Sequence, residues 1–116
     1  MELTNLDFQQ ARIKQVLFKS RLRSVLYGVR EPDDSLFAIR ENPLGQWLYA
    51  VIQPQYGSTS QFLRLERELQ QMLLTGQSLV RQYQRGQLEE SRAGLERLDA
   101  HAARIETLLL ELEQAV

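Results

Sequence analysis

The sequence predicts an all-α protein, an antiparallel four-helix bundle with a short extra helix in the connection between its first two main helices. Two observations carry that expectation. Over two long segments the apolar residues step by three and four, the spacing of helices packed at a small crossing angle. Nowhere does the chain alternate with period two for long enough to argue a sheet.

Taken in order, the first helix is expected from about Asn5 to Gly28, and it is apolar on two sides. One stripe runs through Leu6, Ile13, Leu17, Ser20, Ser24 and Tyr27, the other through Ala11, Gln15, Phe18, Leu22 and Val25. A helix apolar on two sides needs burial on two sides. In a bundle this small that favours a second subunit, with Phe18, Leu22 and Val25 as candidate partner-facing residues. Glu31-Pro32-Asp33-Asp34 reads as a turn in which an aspartate caps the short extra helix, expected over Ser35 to Arg40. Asn42 before Pro43 is an N-cap followed by proline at the first helical position. The helix that follows carries Leu44, Trp47, Leu48, Val51 and Ile52, and Pro54 is expected to end it.

The third main helix has hydroxyl caps at Ser58, Thr59 and Ser60 and a stripe of Phe62, Leu65, Leu69, Met72, Gly76, Leu79 and Tyr83. Gly86 is its expected stop. The last helix starts at Leu88 and steps through Ser91, Leu95, Leu98, Ala102, Ile105, Leu109, Leu112 and Val116. So short a connection between two long helices implies that they run antiparallel. Leu108-Leu109-Leu110 covers roughly 200° of this helix, since neighbours are about 100° apart. With Leu109 turned to the core, Leu108 and Leu110 join Ala103 as candidates for a partner surface.

Bulk composition narrows the function. The 116 residues suit one domain, expected to span 1–116, and 43% hydrophobic with 25% charged residues is ordinary for a globular protein. Cysteine is absent, which excludes disulfides, thiolate catalysis and thiolate metal sites. His101 is the only imidazole, so no metal or other cofactor is expected. Arginine supplies 12 of the 14 basic residues but lies interleaved with glutamate, and the net charge is −1. Nucleic-acid binding, which needs a one-sided basic patch, is not expected. No run approaches the roughly 18–20 apolar residues of a membrane span. The opening Met-Glu-Leu-Thr-Asn-Leu-Asp is acidic and has no apolar stretch, so the expectation is no signal peptide and a cytoplasmic location.

Individual residues weighed for chemistry mostly read as structural. His101 has no nucleophile or carboxylate at telling spacing and reads as a boundary histidine. Glu31, Asp33 and Asp34 read as a solvated turn with a helix cap. Trp47 reads as a core anchor, with Gly45 letting another backbone approach closely. No nucleophile–base pair or phosphate loop is present, and no enzymatic activity is expected.

Three phrases then fall in order: Gln15-Val16-Leu17-Phe18-Lys19-Ser20-Arg21-Leu22, Asn42-Pro43-Leu44-Gly45-Gln46-Trp47-Leu48-Tyr49, and Phe62-Leu63-Arg64-Leu65 followed by Leu69 and Met72-Leu73. Together they resemble the chemoreceptor zinc-binding (CZB) domain of bacterial chemoreceptors and cyclic-di-nucleotide synthases. The Leu-Gly-x-Trp-Leu-Tyr phrase is the most specific part, and the resemblance covers the chain from about Asp7 into the last helix. It implies a helical bundle that commonly dimerises and senses zinc or oxidants for an attached output module.

The resemblance also implies where zinc ligands would stand: a histidine at Gln15, a cysteine at Asn42 and paired histidines at Leu69 and Leu73. All four positions hold residues unsuited to zinc, so the resemblance implies a kept scaffold whose metal site has turned into core. Gln15 and Asn42 either share a hydrogen bond across the old site or Asn42 caps its helix, which needs only local geometry. The function expected is non-catalytic protein–protein interaction, most simply a homodimer that docks to a bacterial signalling or chemotaxis protein. Two alternatives stay open: a small-molecule sensor using the former zinc cavity, and a modulator that pairs with a zinc-competent relative.

Overall fold

A reciprocal cap opens the first helix. In the computed structural model, which describes residues 3–115, Thr4 Oγ1 accepts from the Asp7 amide at 3.3 Å while the Asp7 carboxylate accepts from the Thr4 amide at 2.8 Å. Helix α1 spans Asn5–Leu26. Beyond its Tyr27 cap the chain turns at Gly28, whose φ of +76° is the left-handed conformation glycine adopts without strain. The described residues contain helices and turns and no strand.

The connection after α1 departs from its expected helix. Asp33 does cap a turn, accepting from the Ser35 amide, but that turn is a single 3-10 stretch over Asp34–Leu36. A helix to Arg40 would send the Arg40 amide to the Leu36 carbonyl. Instead Asn42 Nδ2 donates to that carbonyl at 2.8 Å, and the segment stays irregular.

Helix α2 (Pro43–Trp47) starts on Asn42, whose Oδ1 accepts from the Leu44 and Gly45 amides at 2.9 and 3.4 Å. Gly45 sits against the irregular segment so closely that a Cβ there would lie 1.7 Å from the Ile39 carbonyl oxygen. Pro54 does not end this helix, contrary to expectation. The backbone widens into a π-helical turn over Leu48–Ile52 and runs on as α3 (Gln53–Tyr56), with Gln53 N donating to the Leu48 carbonyl. Widening accommodates a proline that has no amide to donate.

Helix α4 (Ser60–Gln84) is capped by Thr59, which accepts from the Phe62 amide, and gives way at Gly86, φ +84°. The last helical stretch is interrupted: α5 (Leu88–Ala93) and α6 (Leu95–Ala115) are separated at Gly94. A Cβ at Gly94 would meet Leu79 Cδ2 at 2.3 Å, so α4 packs closely on the last segment here. The stripe expected on the long helices is inside: Phe62, Leu65, Leu69, Met72 and Leu79 of α4 pack with Leu98, Ile105, Leu109 and Leu112 of α6. Leu88 remains 41% exposed at the start of α5, and Val116 lies outside the described residues.

Helix α1 closes the core from one side and Trp47 from another. The Phe8 and Trp47 rings meet edge to face at 5.9 Å, and Phe18 meets Phe37 in the same way at 6.2 Å. The result is an elongated helical bundle of 47 × 22 × 21 Å. No helix among the described residues is long and apolar enough to cross a membrane.

Candidate functional site

Two opposite faces of α1 have different fates. Phe8, Ala11, Gln15, Phe18, Leu22, Val25 and Leu26 are buried in the chain's own core. At about 100° per residue, the stripe of Leu6, Ile13, Leu17, Ser20 and Ser24 lies on the far side of the helix. There Leu6 is 62%, Ile13 60% and Leu17 42% exposed, and Val16, 68% exposed, stands at the edge nearer α6. Phe18, Leu22 and Val25 therefore do not form a partner surface; they anchor α1 to the bundle. The inner stripe also gains Phe8 and Leu26, so it buries more apolar area, and the stripe with serines at positions 20 and 24 is left outside.

Charged groups line both edges of that outer face. On one edge Arg12 Nε donates to Glu106 at 2.8 Å and Arg12 Nη2 to Glu113 at 3.0 Å, while Lys19 pairs with Asp99. These partners belong to α6, so this edge is held rigid against the bundle. Beside them lies a groove of about 440 Å3 between α1 and α6, lined by Arg12, Gln15, Val16, Lys19, Ser20, Arg23, Ala102 and Glu106. On the other edge Lys14 and Arg21 have no ion pair among the described residues.

The candidates near the C-terminus divide. Leu110 is 44% exposed and Ala103 is exposed, but Leu108 is half-buried against the core. Ala103 and Leu108 line a shallow groove of about 390 Å3 with Arg64, Arg67, Glu68, Arg104 and Thr107, whose rim is mainly basic. Apolar surface on α6 is thus smaller and more broken than on α1.

Each of the four positions that the resemblance sets against zinc ligands is buried and occupied structurally. Asn42 caps α2 and bridges to Leu36, as described, and no Gln15–Asn42 bond forms. Gln15 Nε2 instead donates to the Ala102 carbonyl at 2.9 Å, fastening α1 to α6. Leu69 and Leu73 are 1% and 3% exposed members of the core. Among the described residues no group of three or more His, Cys, Asp or Glu is placed to hold a metal ion.

One polar cluster was not foreseen from sequence. His101 Nδ1 donates to Glu68 Oε1 at 2.7 Å, Thr75 Oγ1 lies 3.1 Å from His101 Nε2, and Arg104 Nε donates to the same Glu68 oxygen at 2.8 Å. An ionised carboxylate only accepts, so Nδ1 carries a proton, while Nε2 accepts from the Thr75 hydroxyl in the neutral ring and donates to it in the charged one. Burial pushes the Glu68 carboxyl up, but hydrogen bonds and charge from His101 and Arg104 outweigh it and hold the group below the usual carboxylate range. The readable signal was the seven-residue spacing of Glu68 and Thr75, which puts both on one face of α4. A carboxylate, imidazole and hydroxyl in line resemble a catalytic relay. Here Thr75 lies inside a helix, where neighbouring amides already bond within the helix and leave no donors for an oxyanion. The cluster ties α4 to α6.

No protein-family model, curated protein or solved structure matches the chain.

Proposed function

We propose that the chain is a non-catalytic protein–protein interaction domain, an antiparallel bundle of the CZB type that has exchanged its zinc site for core and acts through self-association. The observation that carries this reading is the outer face of α1, where Leu6, Ile13, Val16 and Leu17 stand exposed opposite a fully buried face. Helix direction is supported by the pairing order. Along α4, Thr75, Glu68 and Arg64 pair with His101, with His101 and Arg104, and with Glu111 in turn, so positions fall on one helix as they rise on the other. Arg12, Gln15 and Lys19 of α1 meet Glu113, Ala102 and Asp99 of α6 in the same opposed sense.

Loss of the metal follows from what replaced it. Two leucines facing the bundle interior contribute about 1.5–3 kcal/mol each by burial, stability that a zinc site would have to supply through coordination. A bacterial signalling component as a further partner rests on the CZB resemblance alone.

The test is molar mass by light scattering or sedimentation across a wide concentration range. A mass rising to that of two chains is expected, and Ile13→Asp should raise the dimer dissociation constant at least about tenfold, roughly 1.4 kcal/mol. A mass equal to one chain at every concentration overturns self-association. Titration with zinc should give no saturable heat, and stoichiometric binding would overturn the lost-site reading.

A further inference from the structure

Resting on the self-association reading, and deepening it, we propose that the second copy docks α1 against α1 antiparallel, in one register where seam residue i faces seam residue 30 − i and the residues flanking the seam pair one position to either side, with sums of 28 or 32. The outer stripe sets this register. With Gln10 included, Leu6, Gln10, Ile13, Leu17, Ser20 and Ser24 step by four and three without a gap, the seam of a two-helix contact. Under the proposed pairing every seam residue has a seam partner: Leu6 meets Ser24, Gln10 meets Ser20, and Ile13 meets Leu17. Large side chains sit at the centre of the contact. Toward its ends Leu6 fits over the small Ser24 of the other copy, a knob with space to enter.

The remaining features of the face follow. Val16, 68% exposed and off the seam, comes to lie beside its own copy on the twofold axis. Asp7, at the N-terminal end, approaches Arg21 of the other copy, which has no ion pair among the described residues. Lys14 alone faces its own like charge. A parallel pairing is worse at the seam, where it stacks Ser20 on Ser20 and Ser24 on Ser24 and leaves space unfilled.

The natural chain has no cysteine, so engineered thiols report the register without background. At 1.5 Å per residue, antiparallel pairing puts the two copies of residue 6 about 27 Å apart, and likewise those of residue 24. Val16→Cys should therefore form a disulfide-linked dimer under mild oxidation. The double variant Leu6→Cys/Ser24→Cys should do so too, while Leu6→Cys alone and Ser24→Cys alone should not. Circular dichroism of each variant confirms its fold, since all three positions lie outside the core. Dimers linked through Leu6→Cys or Ser24→Cys alone overturn the register and leave self-association standing. Absence of any linked dimer, with the unmodified chain at twice its monomer mass, overturns the α1 seam. A monomer at all concentrations overturns the underlying reading as well.

Discussion

Replacing Asn42 tests whether a single buried amide holds the connection and the start of α2 together. Its side chain is 1% exposed and fully engaged: Oδ1 accepts from Leu44 and Gly45 amides, and Nδ2 donates to the Leu36 carbonyl. Asn42→Ala removes a helix cap, about 0.5–2 kcal/mol. It also strands the Leu36 carbonyl, with Leu36 itself 6% exposed, at about 1–3 kcal/mol. Together these give a loss of about 3 kcal/mol, which for a chain this long lowers Tm by roughly 10 °C.

Asn42→Ser separates the two contributions, because a hydroxyl still caps but does not replace the amide donor at the same reach. It should retain about half the lost stability. Asn42→Asp keeps the cap and aims a buried oxygen at the Leu36 carbonyl. The raised carboxyl pKa that results means this variant gains stability as pH falls, when the protonated acid can donate. Urea unfolding followed by fluorescence of Trp47, the only tryptophan, measures all three. A loss below about 0.5 kcal/mol for Asn42→Ala, the level of a neutral surface change, would refute the reasoning.

The other predictions concern titration and packing. Glu68 titrates below its ordinary value of 4.5, so the stability it contributes is present above that pH and disappears as pH falls through the lowered folded value; Glu68→Gln should flatten the acid limb of the pH–stability curve. Burial first, then the hydrogen bond to Glu66 at 2.6 Å, raises Tyr49 to about 12. Stability should therefore fall as pH rises above 10, where the unfolded phenol ionises first, and Tyr49→Phe should remove that alkaline slope. Gly94→Ala drives a Cβ into Leu79 and should lower stability by about 1–3 kcal/mol in thermal melts, whereas Gly86→Ala, with open space around it, should show only the strain of its positive φ.

Much of the fold was legible before any coordinates. Period-3.6 spacing named the interior residues of α4 and α6, and the hydroxyl and asparagine caps at Thr59 and Asn42 marked true helix starts. Local rules failed where distant groups intervened. Asn42 took the carbonyl that a Ser35–Arg40 helix would have used, and a π turn absorbed Pro54. At Gly94, where Leu79 leaves no room for a Cβ, a helix whose stripe reads as continuous is interrupted.

By itself the sequence determined that the chain is helical, that it lacks thiol chemistry, and that its first helix has two apolar faces. Those properties follow from residue types and their spacing alone. Only the tertiary structure decided which face of α1 turns inward. Spacing is symmetric between the two, and the choice depends on the summed apolar area each buries against α4 and α6. It likewise decided that Glu68, Thr75, His101 and Arg104 form one cluster, because hydrogen bonds between helices depend on how α4 and α6 are set against each other. The outer face of α1, carrying Leu6, Ile13, Val16 and Leu17, is the surface left without a partner by that choice.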